Sequence, residues 1–202
     1  MLDADAARLP SGSADAGPIS GRRRRTLRQS AEALVLVHPS VRRLTDDLVP
    51  DELADDLMIP ADDFTAIKVA LGRREVYLVC VCKAALRGHG RHAFFELKAL
   101  AATMGHTVVL VPESFIRREP RLTNAMMIAG AAGAEIGLTD RMKLLAHLID
   151  NGGSAPLLDL AVMVRGEEPI SAIMALVVEG GLYVDLDKPI LPATEVHLVQ
   201  PL

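Results

Sequence analysis

Residues 62–83 read Asp-Asp-Phe-Thr-Ala-Ile-Lys-Val-Ala-Leu-Gly-Arg-Arg-Glu-Val-Tyr-Leu-Val-Cys-Val-Cys-Lys (DDFTAIKVALGRREVYLVCVCK), and the fold follows from how this stretch pairs with itself. Phe64 to Ala70 and Glu75 to Cys82 are rich in β-branched and aliphatic residues, and they flank Leu71-Gly72-Arg73-Arg74, a turn signal. In a hairpin the indices of paired residues keep a nearly constant sum, and a turn centred near Gly72 and Arg73 puts that sum at about 145–146. Asp63 is then expected opposite Cys82 or Lys83, which brings a carboxylate and an ammonium to one end of a sheet. Side chains alternate along a strand, so Val79, Val81 and Lys83 share one face while Cys80 and Cys82 point to the other.

Downstream, Arg87-Gly88-His89-Gly90-Arg91-His92 reads as a basic loop. His92 to Met104 (HAFFELKALAATM) carries Phe94, Phe95, Leu97, Leu100, Ala101 and Met104 at helical spacing, and Gly105 stops it. Thr107 to Val111 (TVVLV) is a continuous apolar run, the mark of a strand covered on both faces. Strand, helix and strand make a β-α-β unit with parallel strands. Upstream, Ser30 is a candidate cap, and residues 31–37 (AEALVLV) suit a helix or a strand equally. Pro50-Asp51-Glu52 reads as a helix start, ending before Ile59-Pro60.

Asn124 to Gly137 (NAMMIAGAAGAEIG) reads as a small-residue helix or connector at a domain boundary. Beyond it come three helical segments, over 140–148, 156–164 and 168–179, and then two short strands, 182–185 and 196–199. Three helices followed by a hairpin is a winged helix-turn-helix pattern. The expected organisation is a disordered tail over 1–29, an α/β domain over 30–137 and a winged-helix-like domain over 138–202.

The 202 residues suffice for one medium domain or two small ones, and with 3% aromatics and no Trp the core must be aliphatic. A formal charge of −4 argues against a uniformly basic nucleic-acid binder. Cys80 and Cys82 are too close for an ordinary disulfide, which suits a reducing, cytoplasmic compartment. No run approaches the roughly 18 apolar residues of a membrane span, so no membrane partner is expected. The first 21 residues, polar and turn-rich, do not read as a secretory signal. Arg22 to Arg25 and Arg28 follow, a run that suits phosphates, an acidic partner or a solvated linker.

Metal-dependent phosphodiester cleavage needs at least two oxygen ligands for an ion such as Mg²⁺, and it gains from a lysine that steadies the phosphate charge or the attacking water. Asp63 and Lys83 are the candidates for those roles. Val81 stands where an acid-x-Lys strand carries its carboxylate and cannot bind a metal. Glu96, on the following helix, and Glu32, in the first element, are candidate replacements. Glu75 is eight residues from Lys83, about 26 Å along a strand, and out of reach. The plainer alternative is an Asp63–Lys83 salt bridge at a sheet end. Cys80, Cys82, His89 and His92 suit zinc by type, although cysteine in an apolar strand more often packs as a small hydrophobe. Arg87 and Arg91, with Arg117, Arg118 and Arg121, flank the strand ends where a DNA duplex would lie; the alternative is that they only solubilise loops. Residues 139–202 hold nine acids against four bases, and 168–179 (EPISAIMALVVE) contains no basic residue. That composition favours protein contact or dimerisation over DNA reading.

The segment from Asp63 to Asn124 resembles the restriction-endonuclease-like N-terminal domain of TnsA-type transposon endonucleases, a PD-(D/E)xK fold. The resemblance rests on Asp63-Phe64, GRREVYLVCVCK, HAFFELKALAATMGH and VVLVPESFIR. It implies a central mixed sheet flanked by helices, Mg²⁺-dependent cutting of DNA at transposon ends, and a C-terminal winged helix. By position it makes Asp63 the metal-binding aspartate, Lys83 the motif lysine and Glu32 the candidate first-helix glutamate. Val81 departs from the expected Glu or Gln. Three functions are therefore expected to compete: a degenerate nuclease fold associated with DNA and a mobile element, an active endonuclease with a migrated carboxylate, and a winged-helix transcriptional or protein-interaction adaptor.

Overall fold

Strands β2 (Phe64–Leu71) and β3 (Arg74–Val81) pair antiparallel with Phe64 opposite Val81 and Leu71 opposite Arg74, in a computed structural model that describes residues 18–45, 47, 49–87 and 90–199. The index sum is 145, at the lower end of the range that the turn position dictates. Gly72 makes the turn with φ of 59°, a left-handed conformation that costs a side-chain-free residue little. Strand β1 (Val41–Arg43) pairs antiparallel with β2, and β4 (Val108–Pro112) pairs parallel with β3, giving a mixed four-stranded sheet in the order β1-β2-β3-β4. The parallel step is bridged by α3 (Gly90–Thr103).

Helices cover both faces of this sheet. The face bearing Phe64 and Val81 receives α3, whose Phe94 ring meets Phe64 edge-on at 6.1 Å. The opposite face receives α1 (Pro18–Leu36), where Ala31, Leu34 and Val35 share an apolar cavity of about 180 Å³ with Leu78 and Cys80. Helix α2 (Val49–Asp56) buries Leu53 and Ala54 in the same core. Just before it, Asp47 accepts hydrogen bonds from the Tyr77 hydroxyl at 2.7 Å and the Lys68 ammonium at 3.1 Å. Burial works against the charged form of Asp47, but these two donors outweigh it and hold the carboxyl below its ordinary range.

Three expectations change here. Residues 18–29 belong to α1 rather than to a tail, because Leu27 is fully buried and Arg24 is held by Asp51 at 2.7 Å. The tail expected over 1–17 lies outside the described residues. The ambiguous run over 31–37 continues that helix to Leu36. Strand β4 is a sheet edge and not a strand covered on both faces, and Val109 is 40% exposed.

The last third contains α6 (Leu138–Asp150), β5 (Ser154–Pro156), α7 (Leu157–Met163), α8 (Pro169–Val178), β6 (Leu182–Val184) and β7 (Glu195–Leu198). The three helices and the β6–β7 pair fall where the sequence puts them. The three-residue β5 is new, and it completes an antiparallel sheet in the order β5-β7-β6. Leu144, Leu148, Leu160, Ile173 and Val196 form its core together with Ala33 of α1 and Val37 just past its end. Ala125 and Ile128 of α5 (Arg121–Gly130) join the same cluster. The expected division at residue 137 therefore does not separate the two cores, since α1 serves both and α5 packs with the second.

Helix α5 also clamps the loop between β6 and β7. The Asn124 amide donates to the carbonyls of Leu186 at 2.9 Å and Lys188 at 2.7 Å. Arg121 donates twice to Asp187, at 2.9 and 2.7 Å, with its guanidinium over the Phe115 ring. The Arg121 hydrogen bond holds the Asp187 carboxyl below its ordinary range.

Two measurements check this architecture. Leu27→Ala is expected to lower unfolding stability by about 2–5 kcal/mol in urea titration; an unchanged midpoint would return residues 18–29 to a tail. A carboxyl with a depressed pKa contributes stability above its unfolded pKa and loses it as the pH falls. Asp187→Asn is accordingly expected to lower the melting temperature at neutral pH, with the deficit shrinking below about pH 4.

Candidate functional site

The candidate site lies at the end of the sheet where β2 begins and β3 and β4 finish. A 3₁₀ turn, Ala61–Asp63, feeds β2, and the ladder runs one step beyond the strands because the Cys82 amide donates to the Asp63 carbonyl at 2.8 Å. Asp63 thus faces Cys82 with Lys83 next in line, as the turn arithmetic requires. The Lys83 side chain is exposed.

A third charged side chain stands here that sequence reasoning did not select. Parallel pairing sets Val81 beside Pro112, so Glu113, the first residue of α4 (Glu113–Ile116), arrives next to Cys82 and Lys83. Its carboxylate accepts from the Lys83 backbone amide at 2.9 Å and from the Arg117 guanidinium at 2.6 Å. The signal was present in the sequence. Laying VVLVPE parallel to YLVCVC brings Glu113 to this edge, a step that follows once the β-α-β unit is recognised.

The other nominated residues fall elsewhere. Val81 is fully buried opposite Phe64, itself 1% exposed, in the packing that receives Phe94. Glu32 accepts from Arg28 at 2.8 Å and pairs with Arg43 at 3.1 Å. Arg43 lies across from Val69, six residues or about 20 Å along β2 from Asp63. Glu96 sits on the outer side of α3, its side chain 52% exposed and paired with His92 at 3.1 Å. Of the nominated carboxylates only Asp63 stands at the sheet end, and the set does not fit an Mg²⁺ ion, which needs several oxygens converging on one point. Among the described residues no group of three or more His, Cys, Asp or Glu side chains is placed to share a metal.

The zinc alternative fares no better on the residues that are described. Cys80 and Cys82 are both buried in the sheet. Burial pushes the Cys80 thiol up to about 12, with Arg28 opposing the shift, so the free thiol stays protonated near neutral pH. The Cys82 thiol points at the Asp62 carbonyl, 3.5 Å away. His92 is engaged with Glu96, and His89 lies outside the described residues.

The nominated basic residues divide into two kinds. Arg117 is compensated by Glu113, and Arg121 by Asp187. Arg87 is exposed in the β3–α3 connection, and Arg91 lies in the first turn of α3 with its guanidinium 5.4 Å from the Phe95 ring centroid. Neither has a carboxylate partner among the described residues, and neither does exposed Arg118.

Two tests follow. Glu113→Ala removes the acceptor of the Lys83 amide and the partner of Arg117, and should cost about 1–3 kcal/mol of stability in chemical denaturation; no loss would mean that the carboxylate is not part of the fold's wiring. The native thiols should react negligibly with a disulfide reagent at pH 8 and fully after unfolding, whereas fast native labelling would contradict a protonated, buried Cys80. No protein-family model matches the chain, and a search of curated proteins finds no match to it.

Proposed function

We propose that the protein is a divergent PD-(D/E)xK-type nuclease fold, associated with DNA and with a mobile element, that binds without hydrolysing at this sheet end. The observation that carries the reading is Val81: the position two residues before the lysine is fully buried among apolar side chains. An acid substituted there would have to be desolvated within the core. Supporting it is the order of elements. A helix, a three-stranded antiparallel meander, a crossover helix and a parallel fourth strand agree with the fold that the resemblance implies. Glu113, the carboxylate that reaches the Lys83 amide, also accepts from a guanidinium, which leaves it poorly disposed toward a cation. On this reading duplex DNA meets the sheet end through the uncompensated guanidinia of Arg87 and Arg91.

We further propose a winged-helix-like unit, with β5, β6 and β7 as its sheet, that contacts protein rather than DNA. Its third helix, α8, is buried continuously from Ala172 to Val177 and packs against α5, α7 and β6. A helix enclosed in this way has no free face to enter a groove.

The discriminating experiment incubates a duplex with the wild-type protein in Mg²⁺ or Mn²⁺ and scores both binding and strand breaks. Binding without breaks is expected, weakened on the order of tenfold in Arg87→Ala/Arg91→Ala. Cleavage by the wild type that Lys83→Ala abolishes would establish an active endonuclease and overturn the proposal.

A further inference from the structure

A second set of guanidinia lies at the other end of the same sheet. Arg73 and Arg74 form the tip of the β2–β3 hairpin, and Arg42 on β1 stands beside it, opposite Ala70. All three are exposed, and none has a carboxylate partner among the described residues. The compensated guanidinia elsewhere make the contrast. Arg24, Arg28, Arg43, Arg117, Arg121 and Arg141 each pair with an acid, in a chain with a surplus of acids. The one acid beside the tip, Glu75, is engaged by Lys68 at 3.1 Å.

We propose that this hairpin tip is a nucleic-acid contact, with Arg42, Arg73 and Arg74 gripping backbone phosphates of a duplex. Strand alternation sends Arg42 and Arg74 to opposite faces, with Arg73 at the apex between them. The strands carrying Arg42 and Arg74 lie two spacings apart, about 10 Å. That breadth is comparable with the spacing of the two phosphate rows that border a B-form major groove, about 12 Å wide. Positive charge on both flanks of a rigid ribbon matches the two phosphate rows that border such a groove, whereas a membrane surface would engage only one flank. The eight-residue β2 separates this end from the Asp63 end by about 23 Å, so the tip reaches phosphates that Arg87 and Arg91 do not. The contact does not depend on whether the fold derives from a nuclease.

The test is fluorescence anisotropy with a labelled duplex from about 50 to about 200 mM salt, because each lost phosphate contact lowers the slope of log affinity against log salt by about one. The full-length proteins compared are the wild type, Arg42→Ala/Arg73→Ala/Arg74→Ala, the matching triple lysine variant, and Arg87→Ala/Arg91→Ala. The triple alanine variant should keep the wild-type melting temperature, lower the slope by two to three and bind on the order of tenfold or more weakly. The lysine variant should keep the slope. A triple alanine variant with wild-type slope and affinity overturns the contact, and so does binding to phosphatidylserine vesicles with the same arginine dependence when the duplex is not bound. Loss in Arg87→Ala/Arg91→Ala alone would leave the sheet-end reading standing and remove this one; loss in the hairpin variant alone would do the reverse.

Discussion

The β2–β3 ladder is the constraint from which the other placements follow. Its register, Phe64 against Val81, fixes which side chains face α3 and which face α1. A slip of one residue would turn every apolar side chain of both strands to the other layer. The same register sets Asp63 against Cys82 and makes β3 the strand on which β4 aligns. Glu113 reaches Lys83 only because Val81 and Pro112 are neighbours in the parallel pair. The chemistry at the sheet end is thus a by-product of a packing solution. That packing places Val81 inside the core, where a metal-binding carboxylate would be desolvated.

Two helices tie this sheet to the second core. One side of α1 packs against the sheet through Leu27, Ala31 and Val35, while Ala33, and Val37 just past the helix end, enter the cluster built around α8. Helix α5 adds Ala125 and Ile128 to that cluster and fixes the β6–β7 loop through Asn124 and Arg121. Removing α1 would open both cores at once, so the chain is better described as one body with two cores than as two units on a linker. The charged groups follow a related division. Arg24, Arg117 and Arg121 are compensated by acids, whereas Arg87 and Arg91 near one end of the first sheet and Arg42, Arg73 and Arg74 at the other have no carboxylate partner among the described residues.

Much of this was legible because it is local. The Gly72 turn, the helical spacing of Phe94, Leu97 and Ala101, and the parallel return of TVVLV all lie within neighbouring elements. What escaped depends on contacts distant in sequence. The Arg22 to Arg28 run has the composition of a solvated tail, and only burial of Leu27 against the later sheet makes it helix. The valines of β4 read alike on an edge or in a centre, since no fifth strand is announced or denied by the residues themselves. Strands as short as β1 and β5 carry no period to detect. Ala33 and Ala125 are too small and neutral to declare which core they serve. At the candidate site, Asp63 and Lys83 were placed by turn arithmetic alone. Glu32 was drawn away by Arg28 and Arg43, and Glu113 needed the β3–β4 register before it could be seen.

The central claim is that this sheet end is organised by packing and backbone hydrogen bonds rather than by a divalent ion. Isothermal titration of Mn²⁺ into the full-length protein tests it most directly, with Asp63→Asn as the control. The account predicts no saturable heat that depends on Asp63. Stoichiometric binding to the wild type that Asp63→Asn abolishes would contradict it.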